Sequence, residues 1–211
     1  MSKLLIIGCG GHGKVVADTA VTSGIWDDIF YADDQFPDVI PDPGLPVVSD
    51  IAGVEQLKEQ FNDLVVAIGN NSKRLELVIK FKEIGFSVPA LIHPTAYVAE
   101  SAILGAGSVV FANSAIQPYA TLGAACVVNT SCSVDHDCDI GDAVHLAPGT
   151  HLAGDVTIGS ESFLGPGTTV VRGTTIGERV IVGAGSVVLE DVKSERLVVG
   201  TPAREVEDKK R

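Results

Sequence analysis

Residues 152–176 read LAGDVT IGSESF LGPGTT VVRGTT I, so that a large aliphatic residue returns at every sixth position. The same spacing continues without a change of phase from Ile92 to Val188, where seventeen successive positions hold only Ile, Leu or Val. Because only about a quarter of residues are aliphatic at ordinary usage, chance does not supply such a run. The stretch therefore predicts an internal six-residue repeat, and this repeat decides the fold.

A second series lies four residues after the aliphatic one and holds only small or β-branched residues, including Cys126, Cys132 and Cys138. Six residues form one short strand and a corner, so three hexads close a triangular coil, and coils stack about 4.8 Å apart. One coil cannot bury its inner face alone, so stacking supplies the core. The pattern predicts a parallel β-helix whose core contains the three cysteines, with no disulfide.

Residues 1–90 have a different pattern. Strands are predicted at KLLII, DIFYADD and LVVAIGNN, and helices at KVVADTAVTSG, IAGVEQLKEQF and SKRLELVIKFKEIG. This order predicts a small βαβαβ unit with a parallel sheet of about three strands. Gly8, Gly10 and Gly13 fit the G-x-G-x-x-G pattern for a diphosphate at a helix N-terminus, with Asp33 further on. The small size favours a single nucleotide over NAD, and a glycine turn that serves only the fold is the alternative.

Charge and composition exclude several classes of function. The net charge of −12 makes the chain a poor partner for nucleic acid or for an anionic membrane surface. No apolar run approaches the ~18–20 residues that span a bilayer, and the N-terminus reads as a strand rather than a signal peptide. Four cysteines without a CxxC pair favour a reduced, cytoplasmic protein.

Seven segments carry a resemblance to a known family: IIGCGGHGKVV, YADD, VAIGNN, LIHP, NTSCSVDHDCDIGD, FLGPGTTV and VVGTPAR. In this order they resemble the bacterial sugar O-/N-acetyltransferases, hexapeptide-repeat enzymes that include sialic acid O-acetyltransferases and UDP-4-amino-sugar N-acetyltransferases. The resemblance implies a left-handed helix, although general crossover handedness would predict the opposite hand. We expect an α/β Rossmann-like domain over residues 1–90, a left-handed parallel β-helix over 91–200 and a C-terminal tail over 201–211, whose charged end EVEDKKR is expected to be frayed.

The resemblance also implies acetyl-CoA as acetyl donor, a homotrimer with active sites between subunits, and roles for individual residues. Contacts to a nucleotide sugar are implied at six positions: Gly10, Gly11, His12, Asp33, Asp34 and Gly69. Contacts to acetyl-CoA are implied at three positions: His145, Pro166 and Ala184. His136 matches the catalytic histidine, which the family follows with a carboxylate that raises its basicity. That carboxylate is Asp137 here, although Asp135 on the other side is an alternative.

The spacing of the repeat agrees with this site. Val134 points inward, so His136, two residues later, is expected near a corner outside the core, available as a base. Gly154 follows 18 residues after His136 and is therefore expected one coil above it, with its N–H about 5 Å away. That N–H is a candidate donor to the oxyanion of an acyl transfer. We expect direct attack of a sugar amine or hydroxyl on the thioester, without an acyl-enzyme.

The expected acceptor is the 4-amino group of a UDP-linked 4-amino-4,6-dideoxy sugar. A GDP-linked amino sugar and O-acetylation of a sialic acid or related sugar are the alternatives. Metal-dependent carbonic anhydrases share the β-helix, but the spacing of the histidines does not match three converging ligands, and no metal is expected. A nucleotide-sugar sensor that kept the fold is the non-enzymatic alternative, and the His136–Asp137 pair argues against it. His93 and His151 are expected to be structural.

Overall fold

The computed structural model describes residues 2–39, 44–61 and 63–206. The N-terminal elements are β1 (Lys3–Ile7), α1 (Gly11–Ser23), β2 (Asp28–Ala32), β3 (Val47–Ser49), β4 (Asp63–Val66) and α2 (Asn71–Ile84). The four strands form a parallel Rossmann-like sheet in the order β3-β2-β1-β4. Strand β1 is buried from Leu4 to Ile7, as expected for a parallel strand that is covered on both faces. Each helix ends at a left-handed glycine, Gly24 or Gly85.

Two elements differ from the sequence prediction. The sheet has four strands instead of about three, because the three-residue β3 pairs with the edge of β2 in an irregular register. The segment IAGVEQLKEQF forms only a 3₁₀ helix, Ala52–Leu57, so the predicted longer helix is wrong. Gly53 and the missing side-chain cap at Ile51 explain this result, because both weaken a helix that has little to bury.

From Leu91 onward, two-residue strands recur every six residues and form three faces. The first face contains β5 (Leu91–Ile92), β8 (Val109–Val110), β11 (Val127–Val128), β14 (His145–Leu146), β17 (Phe163–Leu164), β20 (Ile181–Val182) and the three-residue β22 (Leu197–Val199). The second contains β6 (Tyr97–Val98), β9 (Ala115–Ile116), β12 (Ser133–Val134), β15 (His151–Leu152), β18 (Thr169–Val170) and β21 (Val187–Val188). The third contains β7 (Ile103–Leu104), β10 (Thr121–Leu122), β13 (Asp139–Ile140), β16 (Thr157–Ile158) and β19 (Thr175–Ile176).

Neighbouring strands on each face are parallel, a stack characteristic of a left-handed β-helix, so the predicted fold class is confirmed. The aliphatic residue of each hexad points inward, and those from Val110 to Val188 are buried. The small or β-branched positions from Ser108 to Ser186 are buried too, and Cys126, Cys132 and Cys138 are free thiols in this core, as predicted.

Two positions of each corner, the first and the third after the inward aliphatic, have different structural roles. Three residues after each inward aliphatic from Leu104 to Val182, the backbone turns through a left-handed conformation, as at Asn113, Asp137 and Asp155. Glycine directly after the aliphatic serves the stacking of coils. A Cβ on Gly105 would lie 2.3 Å from the carbonyl carbon of Gly123 in the next coil. Only a residue without a side chain permits this approach.

The N-terminal sheet and helices cover the first three strands of the first face, β5, β8 and β11. Leu91, Val109 and Val127, whose side chains point outward from the β-helix, are buried in a cluster with residues of α1. We refer to the corners by the faces that they join: the first–second, second–third and third–first edges. Helix α2 packs at the third–first edge, where Ala125 and Ala143 are buried.

At the C-terminus, β23 (Arg204–Glu205) pairs antiparallel with β22. Fraying was expected from Glu205 onward, and this is wrong for Glu205 and Val206, because their backbones pair with β22 and extend the first face. Residues 207–211 lie outside the described part. None of the helices in the described ranges is long and apolar enough to cross a membrane. The domain boundaries and the cytoplasmic location stay predictions.

Candidate active site

His136 lies on the second–third edge, between β12 and β13, with its side chain about half exposed. The Oδ2 atom of Asp137 is 2.7 Å from Nδ1 of the ring. Asp135 instead accepts a hydrogen bond from the backbone N–H of His136, at 2.9 Å. Of the two acids that the sequence left open, Asp137 is therefore the one that contacts the ring. Because a carboxylate only accepts, Nδ1 carries the hydrogen of this bond and Nε2 is the basic nitrogen.

Gly154 lies directly against the ring of His136. A Cβ at this position would be 2.6 Å from both Cε1 and Nε2, so the missing side chain makes room for the imidazole. The next residue, Asp155, donates its N–H to the carbonyl of His136 at 3.0 Å, which holds the two coils in register. The N–H of Gly154 has no acceptor within the described residues. The predicted oxyanion donor thus lies beside the histidine, and its role stays a prediction.

The glycine loop opens α1. Gly10 is the N-cap and Gly11 the first helical residue, and no side chain caps the first turn, so its N–H groups are open to a ligand. A Cβ on either glycine would meet nothing within 4 Å. Gly13 differs, because a Cβ there would lie 2.2 Å from the carbonyl oxygen of Gly8. The loop therefore combines a close helix–strand contact with free space above the helix N-terminus.

Both predicted acids at the end of β2 have partners within the chain. Asp33 accepts hydrogen bonds from the N–H groups of Cys9 (2.9 Å) and Gln35 (3.0 Å). Burial alone would raise the pKa of the Asp33 carboxyl, but these hydrogen bonds hold it below its usual value. Asp34 accepts from the N–H of Ile51 at 3.2 Å. Asp33 thus ties the glycine loop to β2, and contacts of either acid to a ribose or base stay predictions.

Gly69 follows β4, which neighbours β1 in the sheet, so Gly69 lies at the same edge as the glycine loop. A cavity of about 320 Å³ opens between the start of α2 and the first face. Its lining includes Gly69, Asn70, Phe163 and Ile181. The carboxyl ends of parallel strands are where open α/β sheets bind ligands, and the predicted nucleotide-sugar contacts meet there.

His12 extends from the glycine loop to His145 on the first face, with ring centroids 6.3 Å apart. The ring of Phe111 packs edge-on against His12, and the ring of Phe163 packs edge-on against His145. Burial lowers the pKa of His12 to about 4 and that of His145 to about 3, and the nearby Arg74 charge adds to both effects. Both rings are neutral at pH 7. The Nε2 atom of His12 is buried and has no hydrogen-bond partner among the described residues, which is unusual for a buried polar atom.

Pro166 and Ala184 lie one coil apart on the first–second edge, where Gly185 donates its N–H to the carbonyl of Pro166 at 2.8 Å. His136 and Gly154 are on a different edge of the prism. One chain therefore does not bring the predicted acetyl-CoA contacts together with the predicted base.

Arg74 is a residue of this region that the sequence reasoning missed. Its side chain is 1% exposed, at the buried interface of α2 with the β-helix. The sequence signal was available, because Arg74, Leu77, Val78 and Phe81 have the i, i+3, i+4, i+7 spacing of a buried helix face.

The described residues contain no group of three His, Cys, Asp or Glu side chains arranged to hold a metal ion. The absence of a metal from the reaction stays a prediction. Of the five histidines, His136 lies half exposed beside an acid, His151 is exposed, and the half-buried His12 and His145 contact each other.

Comparison with known proteins identifies the relatives. Residues 3–81 match a family model described as the PglD N-terminal domain, and residues 137–172 and 155–190 match the bacterial transferase hexapeptide model. A curated UDP-N-acetylbacillosamine N-acetyltransferase of Bacillus subtilis (strain 168) is 34% identical over 121 residues, or 53% of this chain. The match spans about half (52%) of that relative's length.

Several solved structures match over nearly the whole chain, and two of them contain ligands that bear on function. The acetyltransferase domain of PglB from Neisseria gonorrhoeae FA1090, in complex with acetyl coenzyme A, has a TM-score of 0.93 at 40% identity, covering 97% of this chain and 98% of that one. PerB from Caulobacter crescentus, in complex with CoA and GDP-perosamine, has a TM-score of 0.89 at 41% identity, covering 98% of each chain.

The stacked hexads and the histidine–aspartate pair on an open edge define a hexapeptide-repeat acyltransferase. With relatives of this identity and coverage, the chain belongs to the bacterial sugar acetyltransferase family that its sequence resembles.

Proposed function

We propose that this protein transfers the acetyl group of acetyl-CoA to the 4-amino group of a nucleotide-linked 4-amino-4,6-dideoxy sugar. The observation that carries the proposal is the His136–Asp137 pair at 2.7 Å, packed against Gly154, whose N–H has no acceptor among the described residues. This arrangement supplies a base, a group that orients it, and a donor for developing negative charge.

The reaction is a direct displacement. The amine nitrogen attacks the thioester carbonyl carbon, and His136 Nε2 takes the amine proton as the C–N bond forms. Asp137 stabilises the resulting imidazolium, and the N–H of Gly154 donates to the carbonyl oxygen as its charge grows. When the C–S bond breaks, the imidazolium returns the proton to the coenzyme A sulfur.

The names of the relatives support N-acetylation of an amino sugar over O-acetylation of a sialic acid, which remains the alternative. The Bacillus subtilis relative acts on a UDP-linked sugar by its name, and the Caulobacter crescentus structure contains GDP-perosamine. UDP stays our first choice for the nucleotide of the acceptor, and GDP is the second. The observation that favours GDP is the 41% identity to PerB over 98% of the chain.

The proposed assembly is a homotrimer with a site in each groove between subunits. His136 and Gly154 belong to the second–third edge of a chain, whereas Pro166 and Ala184 belong to the first–second edge. If acetyl-CoA touches both sets, edges from two copies have to meet. A threefold arrangement of three prisms supplies three such grooves.

The test is an acceptor panel in which the release of coenzyme A thiol is followed. The panel holds UDP- and GDP-linked 4-amino-4,6-dideoxy sugars, CMP-sialic acid and free sialic acid. Turnover with one of the amino sugars is the expected result, and the linked base assigns UDP or GDP. Turnover only with a sialic acid would move the assignment to O-acetylation. No thiol release with any acceptor would contradict the proposal.

A further inference from the structure

Arg74 is a buried cation without a carboxylate partner among the described residues. Its five N–H donors all have acceptors, and all five acceptors are neutral. The acceptors are the carbonyl oxygens of Ala125 (2.8 Å), Ala143 (3.1 Å), Ile68 (3.0 Å) and Gly69 (3.3 Å) and the side-chain oxygen of Asn71 (2.8 Å). Burying a full charge among neutral acceptors costs free energy, so packing alone does not explain this arrangement.

One side of the guanidinium fixes the loop after β4. Nη1 draws the carbonyl groups of Ile68 and Gly69 toward the protein interior. In a trans peptide the N–H points opposite to the C=O, so the N–H groups of Gly69 and Asn70 are turned the other way. Both residues are exposed, and neither N–H has an acceptor in the described part of the chain. Arg74 thus holds two free donors at the wall of the 320 Å³ cavity.

The other side of the guanidinium holds the β-helix. Nε and Nη2 donate to Ala125 and Ala143, left-handed corner residues one coil apart on the third–first edge. His145 begins β14 only two residues after Ala143. Asn71, which also accepts from Arg74, donates to the carbonyl of Glu161 in the next coil at 3.0 Å. A single side chain therefore joins the loop at Gly69 to the coils that carry His145.

We propose that Arg74 is a positioning residue for acetyl transfer. Its planar fork sets the direction of the Gly69 and Asn70 N–H groups that receive the nucleotide sugar, and it keeps them in register with the coil that carries His145. This role rests on the proposed function, because it presumes that a nucleotide sugar binds at Gly69. The fork geometry, and not the charge alone, is what the role requires. A lysine has three donors on a point charge and cannot reach all five acceptors.

The test uses Arg74→Met, which keeps the length of the side chain without the donors, and Arg74→Lys, which keeps the charge. Lys82→Met is the matched control, because it removes an exposed positive charge from the same helix. For each protein, kcat, the KM for the nucleotide sugar that the wild type accepts, the KM for acetyl-CoA and the Tm are measured.

We expect the KM for the nucleotide sugar to rise about tenfold in both Arg74 variants, because two hydrogen bonds to the ligand are misdirected. The KM for acetyl-CoA is expected to change less than about twofold. Lys82→Met is expected to match the wild type. Where Arg74→Met does not fold, Arg74→Lys alone decides the question.

A role in stability only would lower the Tm and the active fraction while both KM values stay at the wild-type level, and that result would overturn the proposal. A wild-type KM for the nucleotide sugar in Arg74→Lys would overturn it as well. Absence of turnover by the wild-type protein itself would instead remove the proposed function, and the role of Arg74 with it.

Discussion

Asp137 contacts the ring of the residue that precedes it, His136. The contact is possible because Asp137 occupies the left-handed slot of its corner, with φ of 58°, where its Oδ2 lies 2.7 Å from Nδ1. The same conformation recurs at that edge in four successive coils, at Tyr119, Asp137, Asp155 and Gly173. The turn that the fold requires thus also orients the proposed base.

Asp137→Asn tests this orientation. Asparagine tolerates the left-handed conformation, so we expect a wild-type Tm within about 2 °C. The amide cannot stabilise the imidazolium and can favour the wrong tautomer, so kcat is expected to fall about tenfold to a hundredfold. Asp155→Asn is the matched control, because Asp155 is the left-handed residue one coil above, with φ of 65°. Equal kcat values for the two variants would contradict the orienting role.

Gly154→Ala tests the contact between the ring and the coil above. The added Cβ would start 2.6 Å from Nε2, so the imidazole must move and kcat is expected to fall at least tenfold. The backbone of Gly154 is not left-handed, so the clash is the main effect. In a His136→Ala background the clash disappears, and Gly154→Ala should then cost no stability. Destabilisation of the same size in both backgrounds would point to another cause.

The half-buried pair of His12 and His145 predicts how stability depends on pH. Folded His12 and His145 have lowered pKa values, so the unfolded chain binds more protons than the folded one below about pH 6.5. The free energy of unfolding is therefore expected to decrease as the pH falls from 6.5 toward 4, by up to about 1 kcal/mol per pH unit for each ring. Asp33, whose pKa is also lowered, contributes only at lower pH, where carboxyl groups titrate.

Urea unfolding at pH 7 and at pH 5 measures this dependence. His145→Asn should reduce the loss of stability between the two values, and the exposed His151→Asn should leave it unchanged. An unchanged pH dependence in His145→Asn would contradict the account of the His12–His145 pair.

The cysteines are predicted to be unreactive in the folded protein. Burial raises the pKa of Cys126 and of Cys132 to about 11, so almost no thiolate exists at pH 7.5. Iodoacetamide at this pH should leave the activity and the mass of the native protein unchanged, and the unfolded protein should gain four alkyl groups. Rapid loss of activity together with modification of a core cysteine would contradict direct acetyl transfer without an acyl-enzyme.

The repeat could be predicted from the sequence because a six-residue period marks every coil, and a shift of 18 residues places Gly154 against His136. The choice between Asp135 and Asp137 could not be predicted from the sequence, because it depends on the backbone dihedral angles of one corner. The left-handed position of the corners was not predicted either, because residues that occupy it, such as Asn113, Tyr119 and Ala125, share no chemical property that would identify it.

The N-terminal unit was predicted correctly where elements are long, as for β1 and α2. The short edge strand β3 was missed because three residues carry almost no periodic signal. The contact of His12 with His145 and the role of Arg74 depend on how α1 and α2 pack on the β-helix, which no local pattern records.

The central claim is that His136 is the base of an acetyl transfer to a sugar amine. The most direct measurement is kcat for His136→Asn, with the accepted nucleotide sugar and acetyl-CoA both saturating, and with His151→Asn as the control histidine. We predict that His136→Asn loses about 10²–10⁴-fold in kcat, while His151→Asn and the Tm of both variants stay near the wild type. A kcat for His136→Asn within about threefold of the wild type would contradict the account.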